Sequence, residues 1–161
     1  MSVTSVRKDP ATLTMSIEAT FDAPVEQVWR MWADPRRLER WWGPPTYPAT
    51  VLDHELTPGG GVAYFMTGPE GDQHRGWWRV LAVEPPHRLE FDNGFADSAG
   101  EPDPSMPTTN IAVLLTELEN GGTAMTIETT FPTLEAMEKL VAMGMEEGMT
   151  LAVGQIDGLL G

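Results

Sequence analysis

The chain contains no cysteine. Disulfides, thiolate nucleophiles and cysteine-ligated zinc or iron–sulfur centres are thereby excluded, and several enzyme classes with them. Positive charge is scarce: 10 lysines and arginines stand against 24 aspartates and glutamates, a formal net charge of -14. Such a surface repels polyanions, so neither nucleic acid nor an anionic membrane is an expected partner. No apolar run approaches the roughly 18 residues that a membrane-spanning helix needs, and the opening MSVTSVRKDPATLTMS lacks the apolar centre of a secretory signal. A cytoplasmic location is expected. The three histidines, His54, His74 and His87, are too far apart to share one helix face as metal ligands. There is no G-x-S-x-G elbow and no glycine loop between a strand and a helix, so neither a serine nucleophile nor a phosphate cradle is supported, and no metal or cofactor is expected.

What the chain does have is a methionine-rich end. The stretch Leu134–Leu160 is the only one long enough for a helix of about seven turns. At a period of 3.6, Leu134, Met137, Val141, Met145, Gly148, Ala152 and Leu159 share one face, with Met149 and Ile156 at its margin. Thr133 suits the N-cap and Glu135 the first turn. Gly144, Gly148, Gly154 and Gly158 fit this helix poorly, since each costs on the order of 1 kcal/mol relative to alanine. Either the helix packs closely on a sheet, or small residues leave room for a ligand beside Met137, Met145 and Met149; methionine suits both.

The preceding residues read as wrapping. Leu13, Met15, Ile17, Ala19 and Phe21 alternate with polar residues, a half-buried strand. Asp22 is placed to cap a helix opened by Pro24, with Val25, Val28, Trp29 and Trp32 as its apolar stripe and Asp34-Pro35 as its end. A short second helix covers residues 36–41. Strands then follow near 49–56, 62–67, 74–83, 88–93, 109–118 and 123–131, broken by glycine and proline turns, with Asn120-Gly121-Gly122 as a hairpin signal. Residues 93–107 read as a long loop, either a gate over a cavity or a plain connection. The 161 residues make one α+β domain: a curved antiparallel sheet of six to seven strands around the C-terminal helix, with residues 1–10 as a flexible tail.

Trp77 and Trp78, adjacent on a strand, must point to opposite faces. If Leu81 and Val83 face the helix, Trp77 and Arg79 do too, and a buried guanidinium there needs an acidic or anionic partner. If Trp78, Val80 and Ala82 face inward, Arg79 lies on the surface, within reach of Glu90. The outward tryptophan needs cover from a loop or a second subunit, which makes a homodimer an expected state. The cavity candidates are Trp42, Phe65, Trp77 or Trp78, Arg79 on the first alternative, Phe91, Met125, Ile127, Met145 and Met149, the aromatic and sulfur side chains that small-molecule pockets use; core packing accounts for them equally. His74 stands either at a cavity mouth as a general base or at a plain strand end.

Several of these stretches, in this order, resemble the START-like helix-grip superfamily (SRPBCC, birch-pollen-allergen-like), in the branch named after the heat-shock protein 90 ATPase activator. They are FDAPVEQVWRMWADPRRLERWWGP from Phe21 to Pro44, LTPGG from Leu56 to Gly60, GWWRVLAVEPPHRLEF from Gly76 to Phe91, and GGTAMTIETTF before the last helix. The resemblance spans nearly the whole chain. It implies a deep, largely apolar cavity between sheet and helix, used for lipids, sterols, polyketides or other hydrophobic small molecules. A non-enzymatic binding protein for such a molecule is the first expectation. A cyclase-, aromatase- or hydrolase-like enzyme moving protons through His74, Arg79 or Glu128 is the second. A chaperone-ATPase-activator-like interaction role in stress response is the third.

Overall fold

Alternation of apolar and polar residues builds the sheet. In the computed structural model, which describes residues 3–160, β1 (Val3–Asp9), β2 (Thr14–Phe21), β3 (Ala49–His54), β4 (Gly61–Thr67), β5 (Gln73–Glu84), β6 (Arg88–Ala96), β7 (Thr109–Glu117) and β8 (Thr123–Thr130) form one antiparallel sheet. Its order is β1-β2-β8-β7-β6-β5-β4-β3, so it is curved and open, with β1 and β3 as edges. Eight strands replace the expected six to seven. The extra one is β1: residues 3–9 of the stretch expected as a flexible tail pair with β2, Val6 opposite Ile17, and residues 1 and 2 of that stretch lie outside the described residues. Residues 94–96, expected in the loop, extend β6 instead and pair with β5.

Every second residue of β2, β4 and β6–β8, and of β5 up to Val80, faces the core side of the sheet. Met15, Ile17 and Ala19 of β2, Val113 and Leu115 of β7, and Met125 and Ile127 of β8 are buried side by side. Burying side chains of this size contributes about 1.5–3 kcal/mol each, which fixes the register, since a slip of one residue would turn the whole set to water.

Two helices sit between β2 and β3. In α1 (Val25–Ala33), Val25, Val28, Trp29 and Trp32 are buried as the spacing requires, but Pro24 is the N-cap and no side chain caps it, so Asp22 does not fill that role. Asp34 caps α2 (Pro35–Leu38) by accepting from Arg36 N at 2.9 Å. Arg36 and Glu39 then clasp Val51 of β3, through Arg36 Nη2 to Val51 O at 2.8 Å and Val51 N to Glu39 Oε1 at 2.9 Å.

The C-terminal segment grips the concave face, but not as one continuous helix. It runs as α3 (Leu134–Ala142), α4 (Met145–Gly154) and a short 3-10 turn at Asp157–Leu159. Thr133 caps α3 as expected, accepting from Ala136 N at 3.0 Å. The break falls at Gly144, whose φ of 91° is open to glycine and costly for other residues. It also changes the helical phase: α3 buries Ala136, Met137 and Leu140, α4 buries Ala152 and Val153, and Leu134 is left exposed. Two polar ties hold α4 in place. Lys8 Nζ of β1 reaches Glu146 Oε1 at 2.5 Å, and Gln155 Nε2 donates to Gly43 O at 2.7 Å and Trp41 O at 3.3 Å.

Candidate functional site

Tryptophans from three separate stretches meet under the helices. Trp32 of α1, Trp41 and Trp42 beyond α2, Trp78 of β5 and Phe91 of β6 form one buried aromatic cluster. Trp32 meets Trp41 edge to face at 4.6 Å, and Trp42 meets Trp78 in the same way at 4.9 Å. Such edge-to-face pairs add about 0.5–1.5 kcal/mol each beyond their burial. Trp41 is pinned by its Nε1–H, which donates to Met31 O at 2.8 Å.

Trp41 and Trp42 of this cluster border a cavity of about 280 Å³. Its walls are Trp41, Trp42 and Pro44 on one side, Tyr64, Met66, Phe95 and Ile111 of the sheet below, and Leu140, Met145, Met149 and Val153 of the C-terminal helices above. Gly148 also lines it, and a Cβ added there would touch nothing within 4 Å. The same holds at Gly154 and Gly158. Close packing on the sheet therefore does not account for these glycines, and Gly148 leaves open volume beside Met145 and Met149.

One end of the cavity is polar. Tyr64 O–H donates to Asn93 Oδ1 at 3.2 Å, and both side chains line the cavity. Gly76, opposite Tyr64 in the β4–β5 ladder, gives the phenol its place, since a Cβ at residue 76 would run into the Tyr64 ring. Burial pushes the Tyr64 phenol up to about 12, with Trp42 and Trp78 pulling it partly back. Trp42 packs edge to face on the Tyr64 ring, and the indole nitrogens of Trp42 and Trp78 are both buried without a partner.

At the mouth stand His74 and Arg75. His74 Nε2 lies 2.5 Å from Asp72 Oδ2, with both side chains about half exposed. That contact is the main reason the Asp72 carboxyl is held below its usual range. Arg75 borders the mouth, with its guanidinium 5.4 Å from the Phe65 ring centroid. A second recess of about 480 Å³ continues outward from here, between His74, Phe95 and Met143 and the loop carrying Asp97, Asp103 and Met106. The 93–107 segment therefore borders the entrance with its later part, while Asn93 itself lies within.

The candidate residues divide into three groups. Trp42, Met145 and Met149 line the cavity. Trp78, Phe91, Met125 and Ile127 point to the same side but lie in the packed core beneath it. Phe65, Trp77 and Arg79 lie on the opposite face of the sheet. The parity argument linking Trp77 and Arg79 to Val83 fails because β5 carries a bulge between Val80 and Ala82. Leu81 is the extra residue, 42% exposed, so Trp78 and Val83 both face inward. Arg79 stands opposite Asp92 rather than Glu90, which Arg88 holds at 2.6 Å. Trp77 is covered from within the chain: it lies against Gly94 and donates to Phe95 O at 3.0 Å. Glu128 is exposed on the outer face, opposite Ser16 and Ala112. Sequence reasoning missed Tyr64 and Asn93. Choosing Phe65 as inward sent its neighbour Tyr64 outward, and no local signal distinguishes the two.

Among the described residues, no helix is long and apolar enough to cross a membrane. No curated protein matches the chain. Solved structures do. A crystal structure of protein Ms6760 from Mycobacterium smegmatis is 46% identical, with a TM-score of 0.91 over 99% of this chain and 97% of that one. A solution structure of a protein from Arthrobacter aurescens is 54% identical, with a TM-score of 0.95 over 99% and 92%. CalU16 from Micromonospora echinospora, at 22% identity and a TM-score of 0.59 over 94% and 81%, shares the fold alone. The family model described as "Activator of Hsp90 ATPase homolog 1-like protein" matches residues 22–161. This chain belongs to that family, on the START-like helix-grip fold that its sequence resembles.

Proposed function

We propose that the protein binds an apolar small molecule in the cavity between the sheet and α3–α4. The observation that carries this is the cavity itself, about 280 Å³ in volume, walled by tryptophan, methionine and aliphatic side chains. An apolar cavity of roughly 150 Å³ holds one benzene ring, so a molecule of about two fused rings suits this one. Methionines at 145 and 149, together with the glycine at 148, form a wall that adapts its shape to the guest. The groups singled out for proton transfer support catalysis poorly: Arg79 and Glu128 stand on the opposite face, and His74 is engaged with Asp72 in solvent.

Two measurements test the reading. Native against denaturing mass spectrometry of the purified protein is expected to show an extra mass that is lost on denaturation and recovered by organic extraction. Titration with 2-ethylnaphthalene, followed by methyl NMR, is expected to saturate and to shift Met145, Met149 and Ile111. A clean apo mass together with no saturable titration overturns the proposal.

A further inference from the structure

The polar end of the cavity has more donors than acceptors. The indole nitrogens of Trp42 and Trp78 are both buried and unpartnered, and an indole N–H can only donate. Tyr64, packed edge to face on Trp42 with centroids 6.1 Å apart, presents its hydroxyl to the cavity. The acceptor that hydroxyl has is Asn93 Oδ1, at 3.2 Å. Asn93 brings an amide NH₂ to the same spot. A buried donor without an acceptor costs about 1–3 kcal/mol, and two such donors behind one phenol are a standing demand for electron-rich oxygen. Of the two basic residues that line the cavity, Arg75 holds its guanidinium over Phe65 and His74 is paired with Asp72 at the mouth, so neither supplies a cation at this end.

We propose that the ligand carries an uncharged carbonyl-type oxygen, which docks at this end and accepts from Tyr64 O–H and the Asn93 amide, with Trp42 and Trp78 donating to the phenol oxygen from behind. This rests on the apolar-cavity reading and adds the class of ligand. The phenol turns from Asn93 to the guest oxygen. Its own oxygen then takes up the indole N–H groups, so that the chain of donors runs from the tryptophans through Tyr64 to the ligand. A carboxylate is disfavoured, because a buried anion without a cationic partner is penalised far more than a neutral carbonyl. A plain hydrocarbon would leave the donors as they are.

The experiment compares two probes of nearly equal size and shape, 2-acetylnaphthalene and 2-ethylnaphthalene, by calorimetry and by ¹⁵N–¹H spectra of the tryptophan indoles. The ketone is expected to bind about two- to tenfold more tightly, the range of one net hydrogen bond, and to move two indole N–H signals downfield. In Tyr64→Phe, which keeps the ring and leaves the Asn93 amide, the ratio of the two affinities is expected to fall by half or more toward one. Equal affinities in the unaltered protein, or a ratio that survives Tyr64→Phe, overturn the carbonyl assignment while leaving the apolar cavity standing. Failure of both probes to bind overturns the assignment, and together with a clean apo mass it overturns the cavity reading as well. The comparison in the unaltered protein does not depend on the variant folding.

Discussion

Trp78 and Phe91 stack nearly face to face, with ring centroids 3.9 Å apart and planes within 15° of each other. They come from neighbouring strands, on one face through the register that sets Trp78 opposite Asn93 and Val80 opposite Phe91, and the bulge after Val80 lets β5 face inward again at Val83. Phe91 also meets Trp32 and Trp42, so one ring of β6 supports tryptophans from two other stretches of the chain.

Removing that support is expected to be expensive. Phe91→Ala should lower the unfolding free energy by about 3–5 kcal/mol, the range for truncating a buried phenylalanine, measured from urea midpoints. Trp77→Phe keeps a ring over Gly94 on the outer face and loses one hydrogen bond to Phe95 O, so about 1 kcal/mol is expected there. A loss at residue 91 no greater than that at residue 77 would show that the cluster is not the core of the fold.

Gly76→Ala tests how the cavity's polar end is positioned. The added methyl meets the Tyr64 ring directly, and a clash in a packed ladder costs about 1–3 kcal/mol. The phenol must move, so binding of a cavity probe should weaken along with stability. Unaltered binding in a folded Gly76→Ala protein would mean that Tyr64 does not shape the site.

Much of this was legible in the sequence. Alternation in β2, the glycine turns and the cap at Thr133 follow from local chemistry, and each appears where expected. Trp42, Met145 and Met149, read from the sequence as either cavity or core side chains, line the volume between sheet and helices. Two things were not legible. The orientation of Trp77, Trp78 and Arg79 depends on one extra residue at Leu81, and a bulge carries no mark that alternation alone can read. The break at Gly144 was hidden because Met145 and Gly148 continue the apolar period of Met137 and Val141, while the backbone turns between them. Tyr64 and Asn93 become partners only when β4 and β6 are set on either side of β5, a relationship 29 residues apart in sequence.

The C-terminal glycines give a prediction of opposite signs. Gly144 has a φ of 91°, and a side chain there is strained by about 1–2 kcal/mol. Gly144→Ala should therefore destabilise by that amount. At Gly148, inside α4, the backbone is helical and a Cβ meets nothing within 4 Å, so Gly148→Ala should stabilise by about 0.4–1 kcal/mol. Thermal midpoints of the two variants check this. Stabilisation at both positions would show that the segment is a continuous helix after all.

Alkaline titration isolates Tyr64. Its phenol is pushed from about 10 up to about 12 by burial, so the folded protein keeps the proton to a higher pH than the unfolded chain does. The stabilisation is fully present below pH 10, where both states are protonated. It falls as the unfolded state ionises first, and is lost as pH rises through about 12. A shift of about two units corresponds to roughly 2–3 kcal/mol. The informative quantity is the difference between the unaltered protein and Tyr64→Phe, in which every other group is held in common. Urea midpoints from pH 8 to 11.5 should show the unaltered protein losing stability faster than the variant above pH 10. Parallel curves would mean that the phenol is open to solvent, and that the polar end of the cavity is wetter than its buried indoles imply.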